Sequence, residues 1–321
     1  MTEKPTVLVT RKLPEAVEAR LASDYNAQFN PSDETYASDE LIKRAEGCLA
    51  IIPCHTDALT ADVIARLPDS VKAICNFSVG YNHVDVDAAL ARGLIVTNTP
   101  DVLSDATAEI AMLCMLGAAR RVTENIRLVR ESEWRDWSPT FMLGAQLSGK
   151  RLGIIGMGRV GQVTARRARG FDMSIHYYNR SPLVAEIEQG ATYHDSLESL
   201  LPVCDYLSIH CPATRESEGL LNAERIALLP DGAVVVNTAR GPIVDDEALI
   251  AALRSGKLFA AGLDVFNNEP DIHPAYRELD NVFALPHIGS ATRETRDAMG
   301  FRALDNLDAI VAGREPGDRV A

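Results

Sequence analysis

A chain of 321 residues has room for about two domains, and its 46% hydrophobic and 24% charged residues make it an ordinary globular protein. The formal charge of −13 speaks against nonspecific nucleic-acid binding, which needs a basic surface. The longest apolar run, 110–119, is about half of a membrane-spanning helix, and "MTEKPTVLVT" lacks a basic-then-apolar leader, so no membrane partner and a cytoplasmic location are expected.

Short β-branched runs alternate with amphipathic ones from the start: "TVLVT" at 6–10, a helix after Pro14, "GCLAII" at 47–52, a helix from Thr60, "VKAICNF" at 71–77, and "GLIVTNTP" ending at Pro100. This βα alternation predicts a parallel sheet covered by helices. Pro14 and Thr60 have the character of helix starts, at N1 and N-cap respectively. The stretch 105–130, "DATAEIAMLCMLGAARRVTENIRLVR", predicts one long helix, buried early and exposed late. The segment that follows carries Trp134 and Trp137 without clean periodicity. Either these rings form an interface or they tuck against their own domain.

A second βα series begins at "RLGIIG", with strands expected at 151–155, 173–178, 204–211, 233–238, 260–265 and 282–286, and a final helix at 292–312. The six cysteines show no C-x-x-C spacing and lie mostly in apolar runs, which predicts reduced core thiols and no metal.

Gly156, Gly158 and Gly161 form "GMGRVG" directly after an apolar strand and opening a helix with Arg159 and Val160, the arrangement that binds a dinucleotide pyrophosphate. The ribose selector should follow about 20 residues later, and the count lands on Asn179. An acid there would repel a 2′-phosphate. Asn179 removes the repulsion, Arg180 offers a charged fork and Ser181 a hydroxyl, so NADPH is the expected cofactor, with NADH possible.

Open α/β sheets bind ligands beyond the carboxyl ends of their strands. Reading only those ends gives "IHCP", "VVNTARGP", "GLDVFNNEP" and "ALPHIGS", which deliver Cys211 and Pro212, Thr238 and Arg240, Asp264 and Glu269, and His287. These types suit reduction of an α-keto acid. Arg240 can hold the carboxylate or carbonyl oxygen and stabilise developing negative charge. His287 can protonate the nascent alkoxide, and a carboxylate such as Glu269 beside it would favour the protonated ring and fix its orientation. In the first half, Val79 and Gly80 in "NFSVGYNHVD" can offer backbone amides to a substrate carboxylate, whereas His83 reads as a turn or core residue.

Together "SVGYNHVDVDAALARGLIVTNTPDVLSDATAEIAM", "GIIGMGRVGQ", "VVVNTARGPIVDDEAL", "AAGLDVFNNEP" and "LPHIGSAT" resemble the D-isomer-specific 2-hydroxyacid dehydrogenases, most closely the glyoxylate/hydroxypyruvate reductase branch. The resemblance implies an α/β fold of two Rossmann-like or flavodoxin-like domains with parallel sheets. In it the coenzyme domain (101–288) is inserted into a discontinuous substrate domain (1–100 and 289–321). It implies Arg240, Glu269 and His287 as the catalytic residues, and Val79 and Gly80 as carboxylate binders. Thr107, Cys211, Pro212, Thr238, Asp264 and Gly289 would lie on the cofactor. It further implies a homodimer in which Trp137 reaches the partner's substrate. Relatives that oxidise formate carry glutamine where this chain has Glu269, which disfavours that reaction. The alternatives are a reductase of larger 2-keto acids and a nucleotide-sensing, corepressor-like scaffold.

Overall fold

The computed structural model describes residues 4–321, which divide into two compact units: residues 4–103 with Ser290–Ala321, and Ser104–Gly289. Each is built on a wholly parallel sheet.

The smaller unit has five strands, β1 (Thr6–Val9), β2 (Asn26–Gln28), β3 (Ala50–Ile52), β4 (Ala73–Cys75) and β5 (Ile95–Thr97), in the order β2-β1-β3-β4-β5. This is the flavodoxin-like order. Its inner strands β3 and β4 are buried along their whole length, as expected of strands covered on both faces. One face packs Leu8, Ile51, Ile74 and Val96 against Leu41, Val63 and Ile64 from the covering helices. Each such side chain, fully buried, contributes roughly 1.5–3 kcal/mol relative to exposure. Thr60 caps the helix Ala61–Arg66 by accepting the Val63 N–H, as its type predicts. Pro14 occupies the N-cap of Glu15–Asp24 rather than N1. The C-terminal helix Arg293–Val311 packs on β4 and on Glu15–Asp24.

The larger unit has seven strands: β6 (Arg151–Ile155), β7 (Ser174–Tyr178), β8 (Thr192–His194), β9 (Tyr206–Ile209), β10 (Ala233–Asn237), β11 (Leu258–Leu263) and β12 (Val282–Ala284). Their order, β8-β7-β6-β9-β10-β11-β12, is the dinucleotide-binding order with one strand added, and it reverses direction between β6 and β9. That reversal opens a crevice at the carboxyl ends of β6 and β9. The central strands β9 and β10 are buried along their whole length and apolar except for Ser208 and Asn237, with separate cores on the two faces of the sheet.

One expectation fails here. The stretch 105–130 is not a single helix but two, Ser104–Ala119 and Val122–Arg130, broken at Arg121, which takes a left-handed φ of 53°. The cause is tertiary. Ala119's carbonyl accepts the N–H of Ala145 at 2.8 Å, so the returning arm takes the acceptor the helix would have used. All six cysteines are free thiols. No helix of the described residues is long and apolar enough to cross a membrane.

Candidate active site

The glycine loop fills the β6–β9 crevice. Gly156 has φ 93°, and a Cβ there would lie 2.5 Å from the Cys211 nitrogen, so only glycine lets the two strand ends meet. A Cβ on Gly161 would lie 2.4 Å from the Gly156 oxygen, whereas Gly158 faces open space with nothing within 4 Å. Close packing at the outer two glycines and room at the middle one is the pattern a pyrophosphate requires. Gly158 is the N-cap of the helix Arg159–Arg169 and supplies no side-chain cap, which leaves the first-turn amides, with exposed Arg159 and half-buried Val160, facing that room.

Asn179 follows β7 and does more than remove a charge. Its Oδ1 accepts the N–H of Met157, inside the glycine loop, at 2.7 Å. Sequence reasoning placed the residue at the ribose but missed this bond; the spacing from loop to strand end was the available signal. Arg180 and Ser181 are exposed beside it. Arg180 has an unforeseen neighbour, Glu216. That carboxyl is held below its ordinary range first by the Thr214 hydroxyl, then by its own backbone N–H, with Arg215 and Arg180 adding to the effect.

Three strand ends carry the reactive groups. Arg240, just beyond β10, is half-buried by surface but densely surrounded. Burial lowers its pKa, the Glu269 carboxylate opposes that, and Nη1 donates to the Ala239 oxygen at 2.6 Å. Glu269 uses both oxygens: Oε1 accepts the Phe266 N–H at 2.7 Å, and Oε2 lies 2.6 Å from His287 Nδ1. The pair is neither sealed nor open, with 25% of the His287 and 27% of the Glu269 side chain accessible. His287 itself sits at φ 54°, a conformation non-glycine residues rarely adopt. It is fixed on both sides, by its own N–H to Leu285 at 3.1 Å and by Ile288 N–H to Asp264 Oδ1 at 2.8 Å.

Beside these groups, Asp264 and Thr238 stand on adjacent strand ends, one residue past the Asn237–Leu263 pairing. Asp264 Oδ2 and Thr238 Oγ1 are buried without hydrogen-bond partners among the described residues. A Cβ on Gly289 would lie 3.2 Å from Asp264 Oδ2 and 3.5 Å from Thr107 Oγ1, so Thr107, Gly289 and Asp264 line one small space. Burial also raises the Asp264 pKa, with the Ile288 N–H the first influence against it. Orphaned oxygens are costly to leave unmet. A primary carboxamide, with two donors and one acceptor, suits them, so the residues fit a nicotinamide. Cys211 is half-buried with its thiol pushed up to about 11 by burial, and Pro212 is exposed.

In the smaller unit, Val79 and Gly80 sit in a loop held by its carbonyls. Asn98 Nδ2 donates to Val79 O at 2.8 Å and Ser78 Oγ to Gly80 O at 2.7 Å. Neither residue's N–H is spent on a hydrogen bond among the described residues. His83 is a turn residue whose Nε2 lies 2.9 Å from Asn76 Oδ1. In the larger unit, Trp134 and Trp137 are 60% and 74% exposed, so the reading in which they tuck against their own domain is wrong.

The comparisons agree with this geometry. Residues 112–289 match the model of the D-isomer specific 2-hydroxyacid dehydrogenase NAD binding domain. The chain is 42% identical to glycerate dehydrogenase of Hyphomicrobium methylovorum, over 97% of this chain and 98% of that one. To glyoxylate reductase of Thermococcus litoralis it is 39% identical, over 99% and 97%. Among solved structures it is similar to the NADPH-dependent glyoxylate/hydroxypyruvate reductase of Sinorhizobium meliloti in complex with NADP and malonate. That likeness has a TM-score of 0.88 and 33% identity, and covers 99% of this chain and 97% of the other. With sheet order, glycine loop and strand-end residues in agreement, the chain belongs to the D-isomer-specific 2-hydroxyacid dehydrogenases, NAD(P)-dependent oxidoreductases of 2-hydroxy acids, in their glyoxylate reductase branch.

Proposed function

We propose that the protein reduces glyoxylate and hydroxypyruvate to glycolate and D-glycerate, with NADPH as the preferred cofactor and His287 as the proton donor. The observation that carries this reading is the 2.6 Å contact between His287 Nδ1 and Glu269 Oε2. With Nδ1 engaged by a carboxylate, the ring is oriented and proton delivery falls to Nε2.

When bound, the reduced nicotinamide supplies a hydride to the carbonyl carbon. Arg240 meets the negative charge that develops on the carbonyl oxygen, in surroundings dense enough to weaken screening. His287 transfers its proton to that oxygen as the alkoxide forms, and Glu269 stabilises the ring's charge until transfer. Thr238, Asp264, Thr107 and Gly289 would hold the cofactor's carboxamide, and the backbone around Gly158 would carry its pyrophosphate, as the unpartnered oxygens and the clearance at Gly158 support. The unspent N–H groups of Val79 and Gly80 take the substrate carboxylate.

NADPH preference is supported by the missing carboxylate after β7: Asn179 keeps the acceptor that Met157 needs without the charge. The exposed Trp134 and Trp137 favour a homodimer in which Trp137 meets the partner's substrate. Purified protein is assayed for oxidation of NADPH and NADH with glyoxylate, hydroxypyruvate, pyruvate and phenylpyruvate. The highest kcat/KM is expected for the two small polar acids with NADPH. Preference for phenylpyruvate would overturn the substrate assignment, and preference for NADH the cofactor assignment.

A further inference from the structure

Asn237 is the last residue of β10 and only 1% exposed. A buried primary amide must satisfy a carbonyl and an NH2 pointing in different directions. Here both ends go to the short segment that leads into Arg240. Oδ1 accepts the Ala239 N–H at 3.0 Å, and Nδ2 donates to the Arg240 oxygen at 2.9 Å. The side chain thus closes a turn and brackets the Ala239–Arg240 pair, holding the peptide that precedes Ala239 and the peptide that follows Arg240. Ala239 is in turn the residue whose carbonyl receives Arg240 Nη1 at 2.6 Å, so the clasp also fixes an anchor of the guanidinium.

Two further contacts join this clasp to the other reactive groups. The Asn237 carbonyl accepts the Asp264 N–H at 3.0 Å, and Asp264 Oδ1 accepts the N–H of Ile288, the neighbour of His287. Immediately after Arg240, a Cβ on Gly241 would lie 2.0 Å from the Phe266 carbonyl carbon. Phe266 is the residue whose N–H holds Glu269 Oε1. The Arg240 segment therefore has no room to shift against the Glu269 loop, and Asn237 sets where along that contact it rests.

We propose that Asn237 is a positioning residue: by holding the peptides at either end of the Ala239–Arg240 pair it sets the guanidinium relative to the His287–Glu269 pair. This rests on the reductase reading above, in which Arg240 meets the reacting oxygen. The asparagine amide carries its acceptor and its donor on two separate atoms that reach two partners at once; serine, with a single shorter oxygen, is expected to keep the bond to Ala239 N–H and lose the one to Arg240.

The test is a double-mutant cycle. Asn237→Ala and Asn237→Ser are made in the natural chain and in an Arg240→Ala background, and kcat and KM for glyoxylate, NADPH Kd and Tm are measured. In the natural background kcat/KM should fall about 100-fold for Asn237→Ala, as for a misplacement of about 1 Å, with less loss for Asn237→Ser. NADPH Kd should stay within about 2-fold, because no cofactor contact is removed, and in the Arg240→Ala background the same changes should cost less than about 3-fold. Equal losses in both backgrounds, with Arg240→Ala itself damaging, would overturn the assignment of Asn237 and leave the reductase reading standing. A silent Arg240→Ala would overturn both. If Asn237→Ala proves too unstable to purify, Asn237→Ser alone closes the cycle.

Discussion

The Met157 N–H donates to Asn179 Oδ1 at 2.7 Å, so the residue that ends β7 is also a strut of the glycine loop. Asn179→Asp keeps the acceptor and restores a charge. A carboxylate about 4 Å from a phosphate costs about 4 kcal/mol per unit-charge pair at an effective dielectric near 20, before screening. The variant should therefore lose at least about 10-fold in kcat/KM for NADPH while NADH changes little. Steady-state kinetics with both cofactors check this; an unchanged ratio would show that Asn179 is a strut only.

Glu269→Gln separates the two jobs of that side chain. The amide oxygen can still accept from Phe266, but the group facing His287 Nδ1 is no longer charged. Turnover should fall by roughly 10- to 100-fold, within the range of a weakened general acid, while NADPH affinity measured by fluorescence titration stays the same. Loss of cofactor affinity would instead mean that Glu269 shapes the nucleotide site.

Acid sensitivity should trace in part to His210. Its Nε2 lies 2.9 Å from Ser208 Oγ, its Nδ1 is buried without a partner among the described residues, and burial lowers its pKa to about 4. The folded value lies below the ordinary one of about 6.5, so between them the unfolded chain binds the extra proton. The contribution is complete above about pH 6.5 and lost as pH falls towards 4, on the order of 3 kcal/mol in all. Urea unfolding across this range should show the slope, and His210→Gln should flatten it; a variant with an unaltered slope would assign the acid loss elsewhere.

Gly241→Ala places a methyl 2.0 Å from the Phe266 carbonyl carbon, a backbone atom that cannot rotate away. Overpacking of this kind costs about 1–3 kcal/mol or more. Both Tm and kcat should drop, because the displaced backbone carries Glu269. A variant with natural Tm and kcat would show that the two loops can part without cost.

The parts legible in the sequence were those written locally. "AVVVN" is a buried central strand whose apolar run needs no context, and "GMGRVG" between strand and helix carries its own geometry. Edge strands β2 ("NAQ") and β8 ("TYH") escaped because neither is buried enough to carry an apolar pattern. The break at Arg121 escaped because it depends on Ala145, which the periodicity of 105–130 cannot register. The site divides in the same way. Arg240, Glu269 and His287 stand at strand ends, where topology alone gathers ligands. The Asn179 strut and the Asn237 clasp depend on where a side chain turns at the end of its strand, and asparagine there reads equally well as an ordinary start of a turn.

The most direct measurement is turnover of His287→Gln with glyoxylate and NADPH, read beside NADPH binding. The variant should bind NADPH as the natural chain does and lose about 100- to 10,000-fold in kcat, the contribution of a positioned general acid. Natural turnover in a protein that lacks the imidazole would remove His287 as the proton donor, and with it the chemistry assigned to its contact with Glu269.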